Sequence, residues 1–260
     1  MISYLFSIFP IWVIYIIIVF FIFISILGGI AFARWRKIHL KNDDESAINT
    51  LVAATLGLLT FILAFTFSLS SARFDASKQF LLDEVNAIET SWLRAGLVEQ
   101  PFSNQLRRAL VKYTEVRFWS IENPNKLKET IAKAEKIQNH IWTLITEMNS
   151  QNVGKDEINA LLIEAVNDMF DMQTKRISKA LIDRIPNLIW IALFVLIIIA
   201  MFEVGFILGK SDKSNWILIL ALSMSFSVII IIIVELDSYK GHITLNQQAM
   251  YDMYERIKEK

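Results

Sequence analysis

The sequence contains no cysteine among its 260 residues. A chain without thiols cannot form disulfides, thiolate zinc sites, iron–sulfur clusters or a cysteine nucleophile. It also lacks an excess of either charge, because 26 Lys and Arg residues balance 26 Asp and Glu residues. Since nucleic-acid binding usually leaves a basic footprint, we expect no nucleic-acid partner.

Enzyme motifs are missing as well. The three histidines, His39, His140 and His242, lie far apart and outside any H-E-x-x-H pattern. There is no G-x-S-x-G or G-x-x-x-x-G-K motif. Acidic residues of the polar central region alternate with basic ones along helix faces, which is typical of solvated helices. We therefore predict that the protein is not an enzyme and has no catalytic residue, cofactor or metal site.

Hydrophobic residues make up 54% of the sequence, which is more than one water-soluble core of this size can bury. The surplus lies in four uncharged stretches, each close to or above the roughly 20 residues that cross a bilayer: residues 11–33, 46–72, 185–202 and 214–234. A cleaved signal peptide is the alternative for the first stretch, because Ala31 and Ala33 form an A-x-A pattern, but no basic residue precedes it. The sequence thus predicts four transmembrane helices in a lipid bilayer.

The central region is polar, with 16 basic and 16 acidic residues between positions 73 and 184. Apolar residues recur there at intervals of three and four, which predicts amphipathic helices. They form three runs: Leu81, Val85, Ile88 and Trp92; Ala134, Ile137, Ile141, Leu144 and Met148; Ile158, Leu162, Ala165, Met169 and Met172. Gly57 is the only helix-weakening residue from 47 to 95, so we expect the second membrane helix to continue unbroken into this region.

The predicted fold class is therefore an all-α membrane protein with four transmembrane helices and a helical aqueous domain inserted between the second and third. The expected divisions are the first transmembrane helix with its basic loop (1–46), the second helix (47–72), the aqueous domain (73–184), the third and fourth helices (185–236) and a polar C-terminal tail (237–260).

Short loops indicate the orientation, because basic loops stay in the cytoplasm. The N-terminal tail has no basic residue, whereas the first and third loops are basic through Arg34, Arg36, Lys37, Lys41, Lys210 and Lys213. We therefore expect the N-terminus and the central domain to be extracytoplasmic. Six basic residues that flank the central domain argue for the reverse: Arg73, Lys78, Lys175, Arg176, Lys179 and Arg184.

Small and hydroxylated residues form one stripe down the second membrane helix: Ala53, Gly57, Thr60, Ala64, Ser68 and Ser71. Close helix packing is one interpretation, since such stripes let backbones approach. A pore lining is the other, in which Thr60 and Ser68 present hydroxyls to ions while Phe61 and Phe65 form a hydrophobic constriction. Two further small-residue seams favour a tight bundle: Ser25, Gly29 and Ala33; Gly205 and Gly209.

Glu203 is the only ionisable residue that interrupts a membrane stretch. Intramembrane carboxylates are costly, so each is a candidate functional residue. Glu203 lies six residues before Gly209, which is about 9 Å from the end of its helix. A structural ion pair with Arg34 or Lys37 is the competing interpretation.

Three segments carry a resemblance to a known family. The first segment, residues 72–113, contains in order an Asn-Ala pair, a Leu-Arg-Ala triplet, a proline turn, and a helix with Leu-Arg and Tyr. The second segment is RIPNLIW at 184–190, and the third is ELDSYKGHI at 235–243. Together they resemble a family of bacterial membrane proteins described as bestrophin-like, although Ser238 and Tyr239 stand where arginine and a proline-aromatic pair are more usual. The resemblance implies a bacterial inner-membrane protein distantly related to bestrophins, which are pentameric anion channels with cytosolic domains.

The resulting hypothesis is an oligomeric, bestrophin-like ion channel. Its expected partners are lipid, further copies of the chain and small inorganic ions. The alternative is a non-transporting membrane scaffold or partner-binding protein, in which the central helices form the interaction surface.

Overall fold

The computed structural model describes residues 9–39, 45–122, 127–181, 184–210, 215–238 and 247–259. Lys41 and Lys213 of the basic loops lie outside these ranges. The described ranges contain eight α-helices and short turns, and no β-strand. The helices are α1 (Ile11–His39), α2 (Glu45–Ala95), α3 (Phe102–Glu122), α4 (Leu127–Ser150), α5 (Asp156–Leu181), α6 (Asn187–Lys210), α7 (Trp216–Asp237) and α8 (Gln248–Lys258).

Four helices, α1, α2, α6 and α7, are long and apolar enough to cross a membrane. Three have candidate spans of 22 to 27 residues, close to the roughly 20 that a bilayer requires. In contrast, α2 is one continuous helix of 51 residues, or about 75 Å at 1.5 Å per residue. This confirms that the second helix extends well beyond its uncharged stretch.

The chain divides into two compact units. Unit 1 comprises Met1–Phe74 and Arg184–Ile243, and unit 2 comprises Asp75–Asp183 and Thr244–Lys260. Each unit has its own hydrophobic core.

Within unit 1, α1 packs mainly against α6 and α7. Glycines set the distance between α1 and α6: a Cβ on Gly29 would overlap the carbonyl oxygen of Phe202, and a Cβ on Gly205 would overlap that of Ile26. In addition, Ser25 Oγ donates to the carbonyl oxygen of Ile198 at 2.7 Å. The small-residue seams of α1 and α6 therefore pack against each other, as expected for helices whose backbones approach closely.

A buried carboxylate joins three segments of unit 1 at the other end of these helices. Asp237 is the last residue of α7. Its Oδ1 accepts one hydrogen bond from Arg73 Nη1 of α2 at 2.5 Å and another from the backbone N–H of Ile185 at 3.1 Å. Nearby, Ser70 Oγ of α2 donates to the carbonyl oxygen of Ile233 at 3.0 Å. These bonds hold one side of α2 against α7 and the segment that precedes α6.

Unit 2 is built from the second part of α2 together with α3, α4, α5 and α8. The predicted apolar runs supply ten of the 22 buried core residues that its described ranges contain, including Leu81, Ile88, Ile141 and Met169, and α3, for which no run was predicted, supplies several of the others. Ser91 Oγ also donates to the carbonyl oxygen of Ala165 at 3.0 Å, which ties α2 to α5. The tail helix α8 belongs to the same unit and adds three buried side chains to the core, Met250, Met253 and Ile257.

Candidate functional site

Most of the stripe on α2 is exposed in the single chain, although Ser71 is half-buried. Four of its residues and the two phenylalanines beside it are exposed: Gly57, Thr60, Ala64 and Ser68; Phe61 and Phe65. No atom lies within 4 Å of the place that a Cβ on Gly57 would occupy. The opposite side of α2 is buried through Leu59, Leu63, Thr66 and Ser70. Packing inside the chain therefore uses the other side of α2. The six exposed residues are called the α2 face from here on: Gly57, Thr60, Phe61, Ala64, Phe65 and Ser68.

The α2 face combines hydroxyl groups with aromatic rings. Thr60 Oγ1 donates to the carbonyl oxygen of Leu56 at 2.9 Å, so its oxygen keeps lone pairs that can accept. Phe61 and Phe65 are 66% and 53% exposed, which is unusual for aromatic rings unless lipid, another chain or a water-filled passage adjoins them. The face can thus offer oxygen atoms and a hydrophobic constriction on one surface.

Glu203 is half-buried in α6. One carboxylate oxygen, Oε2, is buried and has no hydrogen-bond partner in the part of the chain that the structure describes. The ion pair with Arg34 or Lys37 is not formed among those residues. Glu203 stays a candidate intramembrane acid, separate from the α2 face.

Unit 2 contains a buried charge cluster that sequence reasoning missed. Glu84 of α2 is fully buried, and both its carboxylate oxygens bond to arginines. Arg117 of α3 donates from Nε at 2.5 Å and from Nη2 at 3.2 Å, while Arg176 of α5 donates from Nη1. Arg176 also bonds Gln247, the residue that precedes α8, at 3.3 Å. One carboxylate therefore holds together α2, α3 and α5.

Burial and charge act in opposite directions on this carboxylate. Burial raises the pKa of Glu84, but the positive charges and hydrogen bonds of Arg117 and Arg176 outweigh it, so that its pKa is lowered below the ordinary 4.5. Beside it, burial and the Glu84 charge raise the pKa of Tyr113, whose hydroxyl donates to Gln173. The cluster is therefore charged at neutral pH, and Tyr113 is a neutral hydrogen-bond donor.

The solvated-helix interpretation is wrong for these three charges, and the spacing held a signal. Glu84 lies three residues after Leu81 and four before Ile88, so it shares their buried side of the helix. Likewise, Arg117 lies four residues after the buried Tyr113. An acid or base that falls in register with an apolar run is a candidate for a buried pair.

The family model described as Bestrophin-like domain matches residues 18–250. The chain belongs to the bestrophin-like family. This membrane protein also shares its fold with solved structures: a mutant and another form of a bacterial bestrophin homolog from Klebsiella pneumoniae, with TM-scores of 0.69 and 0.68. A third, described only as a membrane protein, gives 0.70. Each is 14% identical and covers 93% of this chain and 96% of its own. No curated protein matches the sequence significantly.

The first segment of the family resemblance, residues 72–113, builds the junction of α2 and α3 in unit 2. Arg94 Nη1 pairs with Glu164 of α5 at 3.2 Å. The Arg107 guanidinium lies 4.0 Å from the ring centre of Trp92, and it fills the space beside Gly96, where a Cβ would overlap it. This segment therefore describes how unit 2 packs, whereas the other two segments of the resemblance, 184–190 and 235–243, belong to unit 1. None of the three includes the α2 face.

Proposed function

We propose that this bestrophin-like protein is an oligomeric ion channel whose pore is lined by the α2 face. The observation that supports it most directly is the exposure of that face. Gly29 of α1 and Gly205 of α6 pack against the neighbouring helix within the chain. In the α2 face, by contrast, no atom lies near the Cβ position of Gly57, and the other small residues of the face are exposed. Membership in a family related to anion channels adds to the case.

The composition of the face distinguishes it from a lipid-facing surface. On α1, α6 and α7 most exposed side chains are large and apolar, as lipid contact favours: Ile16, Ile17, Phe20 and Phe21 on α1, Ile191 and Ile198 on α6, Ile217 and Val228 on α7. The exposed small residues on these three helices are fewer, and only Ser225 of them carries a hydroxyl: Gly28, Ala31, Ala192, Ala221 and Ser225. The α2 face instead has Gly57, Ala64, Thr60 and Ser68 between its two phenylalanines. Hydroxyl groups and small residues such as glycine and alanine suit either an aqueous passage or the close approach of another helix.

In the proposed assembly, copies of α2 surround a central axis. Thr60 and Ser68 then supply oxygen atoms to passing ions, and rings of Phe61 and Phe65 narrow the passage so that it can close by losing water. Glu203 lies on α6 and takes no part in this lining. The function needs no catalytic residue, cofactor or bound metal.

We further propose that unit 2 is the aqueous domain between the second and third spans, in a protein of the inner membrane. The short basic loops favour an extracytoplasmic position for it. Two of the six opposing basic residues are engaged in buried ion pairs, Arg73 with Asp237 and Arg176 with Glu84. Their charges are therefore not available to attract anionic lipid.

The test is to purify the full chain, determine its subunit number in detergent and measure ion flux in liposomes. We expect an oligomer that conducts. Phe65→Ala should raise flux by widening the constriction, while Phe20→Ala serves as the matched control, because Phe20 is a similarly exposed phenylalanine on α1, outside the α2 face.

Two results would contradict the proposal. A monomer, or no conductance under any ionic or voltage condition, would remove the pore. A stoichiometric partner bound to unit 2, in an assembly with no water-filled axis, would favour the scaffold function.

A further inference from the structure

The spanning helices α1 and α6 run parallel within unit 1. Ser25 of α1 donates to the carbonyl oxygen of Ile198 on α6. Further along both helices, a Cβ on Gly209 of α6 would lie only 2.7 Å from the Cβ of Ala33 on α1. Because the two contacts advance in the same direction along both helices, the C-terminal ends of α1 and α6 lie together at the same end of the pair.

Aromatic rings cover one side of this pair near those ends. The ring centre of Phe32 lies 5.8 Å from that of Trp35, and it lies 5.7 Å and 6.0 Å from those of Phe202 and Phe206. Gly28 is exposed beside them, and a Cβ there would be in ordinary contact with the Phe202 ring at 3.8 Å. The missing side chain therefore leaves a hollow next to that ring. These five residues are called the α1–α6 groove.

Two bases lie at the end of the α1–α6 groove where both helices terminate. Lys210 Nζ lies 5.6 Å from the ring centre of Phe206. Arg36 follows Phe32 by four residues, so it lies on the same side of α1. The acid Glu203 precedes Lys210 by seven residues, which places it about 10 Å further from this end. A phosphate near the two bases is therefore well separated from that carboxylate.

We propose that the α1–α6 groove binds an anionic phospholipid. Arg36 and Lys210 hold the phosphate of its headgroup, and one acyl chain lies along Gly28 against the rings of Phe32 and Phe202. Basic groups between spanning helices on the cytoplasmic side are known to hold anionic headgroups, and aromatic rings suit the boundary between headgroup and acyl chain. The proposal assigns the groove one lipid class, whereas the apolar surface elsewhere on the spans contacts any lipid.

The charge of this end of the pair complements such a headgroup. Residues 34–46 and 210–215 together contain six basic and four acidic residues, so their net charge is positive. The orientation that the short loops favour places them at the cytoplasmic leaflet, whose anionic lipids attract basic segments. Each base near that surface strengthens the attraction by about fivefold.

The experiment titrates the full-length protein in detergent with phosphatidylglycerol, which carries a net negative charge, and with phosphatidylcholine, which carries none. Native mass spectrometry counts the bound lipids and gives their dissociation constants. We expect phosphatidylglycerol to bind about fivefold more tightly, or better. Arg36→Gln and Lys210→Gln should each weaken its binding by about fivefold and leave phosphatidylcholine unchanged. Gly28→Leu fills the hollow and should weaken the binding of both lipids.

Arg34→Gln is the matched control. It removes the same charge from the same end of α1, but Arg34 lies two residues before Arg36, which is about 200° round the helix. This variant should bind phosphatidylglycerol as the wild type does. Free glycerol 3-phosphate tests the role of the acyl chains, because it offers the phosphate alone, and it should not displace the lipid.

Four results would overturn the inference. Equal affinity for the two lipids would make the groove an ordinary lipid contact. Unchanged binding in both Arg36→Gln and Lys210→Gln would remove the bases from the site, and an equal loss in Arg34→Gln would show that only total charge counts. Displacement by glycerol 3-phosphate would remove the groove. None of these measurements involves conduction, so this inference and the proposed channel are tested separately.

Discussion

Glu84 is the single acid that two buried arginines share, so its replacement tests how unit 2 is held together. Glu84→Gln keeps the size of the side chain and removes the negative charge. Arg117 and Arg176 would then face each other with side chains only 3% and 9% exposed. Breaking a buried ion pair by removing one partner costs about 3–5 kcal/mol, because the remaining charge is left without compensation. A domain has only about 5–15 kcal/mol of stability in total.

Thermal unfolding of the full chain in detergent, followed by tryptophan fluorescence, measures this loss. A domain of the size of unit 2 shifts its Tm by roughly 4 °C for each kcal/mol, so we expect the transition of unit 2 to fall by roughly 12–20 °C. Trp92 is buried in the core of unit 2 and reports on that transition.

Glu89→Gln is the matched control, because Glu89 lies five residues later on the same helix. It pairs with the exposed Arg256 at 3.1 Å, and surface pairs contribute only about 0–1 kcal/mol. If both variants had the same Tm, the reasoning about buried charge would be refuted. A triple replacement by apolar residues, Glu84→Leu with Arg117→Met and Arg176→Met, should recover stability, because it leaves no buried charge uncompensated.

Three further expectations follow from the same structure. Since the folded pKa of Glu84 lies below its ordinary 4.5, the stabilisation by its charge is complete above that pH and is lost as the pH falls through the folded pKa. The Tm difference between wild type and Glu84→Gln should therefore narrow in acid below about pH 4.5, and a constant difference would contradict this. Gly205→Ala should destabilise unit 1 by about 1–3 kcal/mol, because its Cβ meets the backbone of α1, whereas Gly57→Ala should be neutral or stabilising by thermal unfolding. Finally, the chain has no cysteine, so single-cysteine variants can map its orientation in the membrane. An impermeant maleimide applied outside intact cells should label Glu99→Cys and should not label Lys37→Cys. The reverse pattern would show that the orientation predicted from the loop charges is wrong.

The sequence was most informative where one physical requirement acts alone. The uncharged stretch from 46 to 72 follows from a single requirement, that side chains inside a bilayer be apolar. The absence of proline and of clustered glycine as far as Ala95 predicts the long helix that is found. The buried charge cluster depends instead on three helices that meet in space. Glu84 and Arg117 are 33 residues apart, and Arg176 is 92 residues from Glu84. Nothing local to any of them distinguishes a buried partner from a solvated charge, apart from their register with apolar neighbours.

The same reasoning explains why knowing the family leaves the ion open. Arg94, Arg107 and Tyr113, by which the sequence resembles the family, lie at helix contacts of unit 2, where they hold α2, α3 and α5 in place. Such residues fix the path of the chain. In the proposed channel, ions instead pass along the exposed side of α2, whose side chains do not form the core of either unit. Thr60 and Ser68 belong to this second class, so their role has to be tested in this protein and cannot be inferred from the fold.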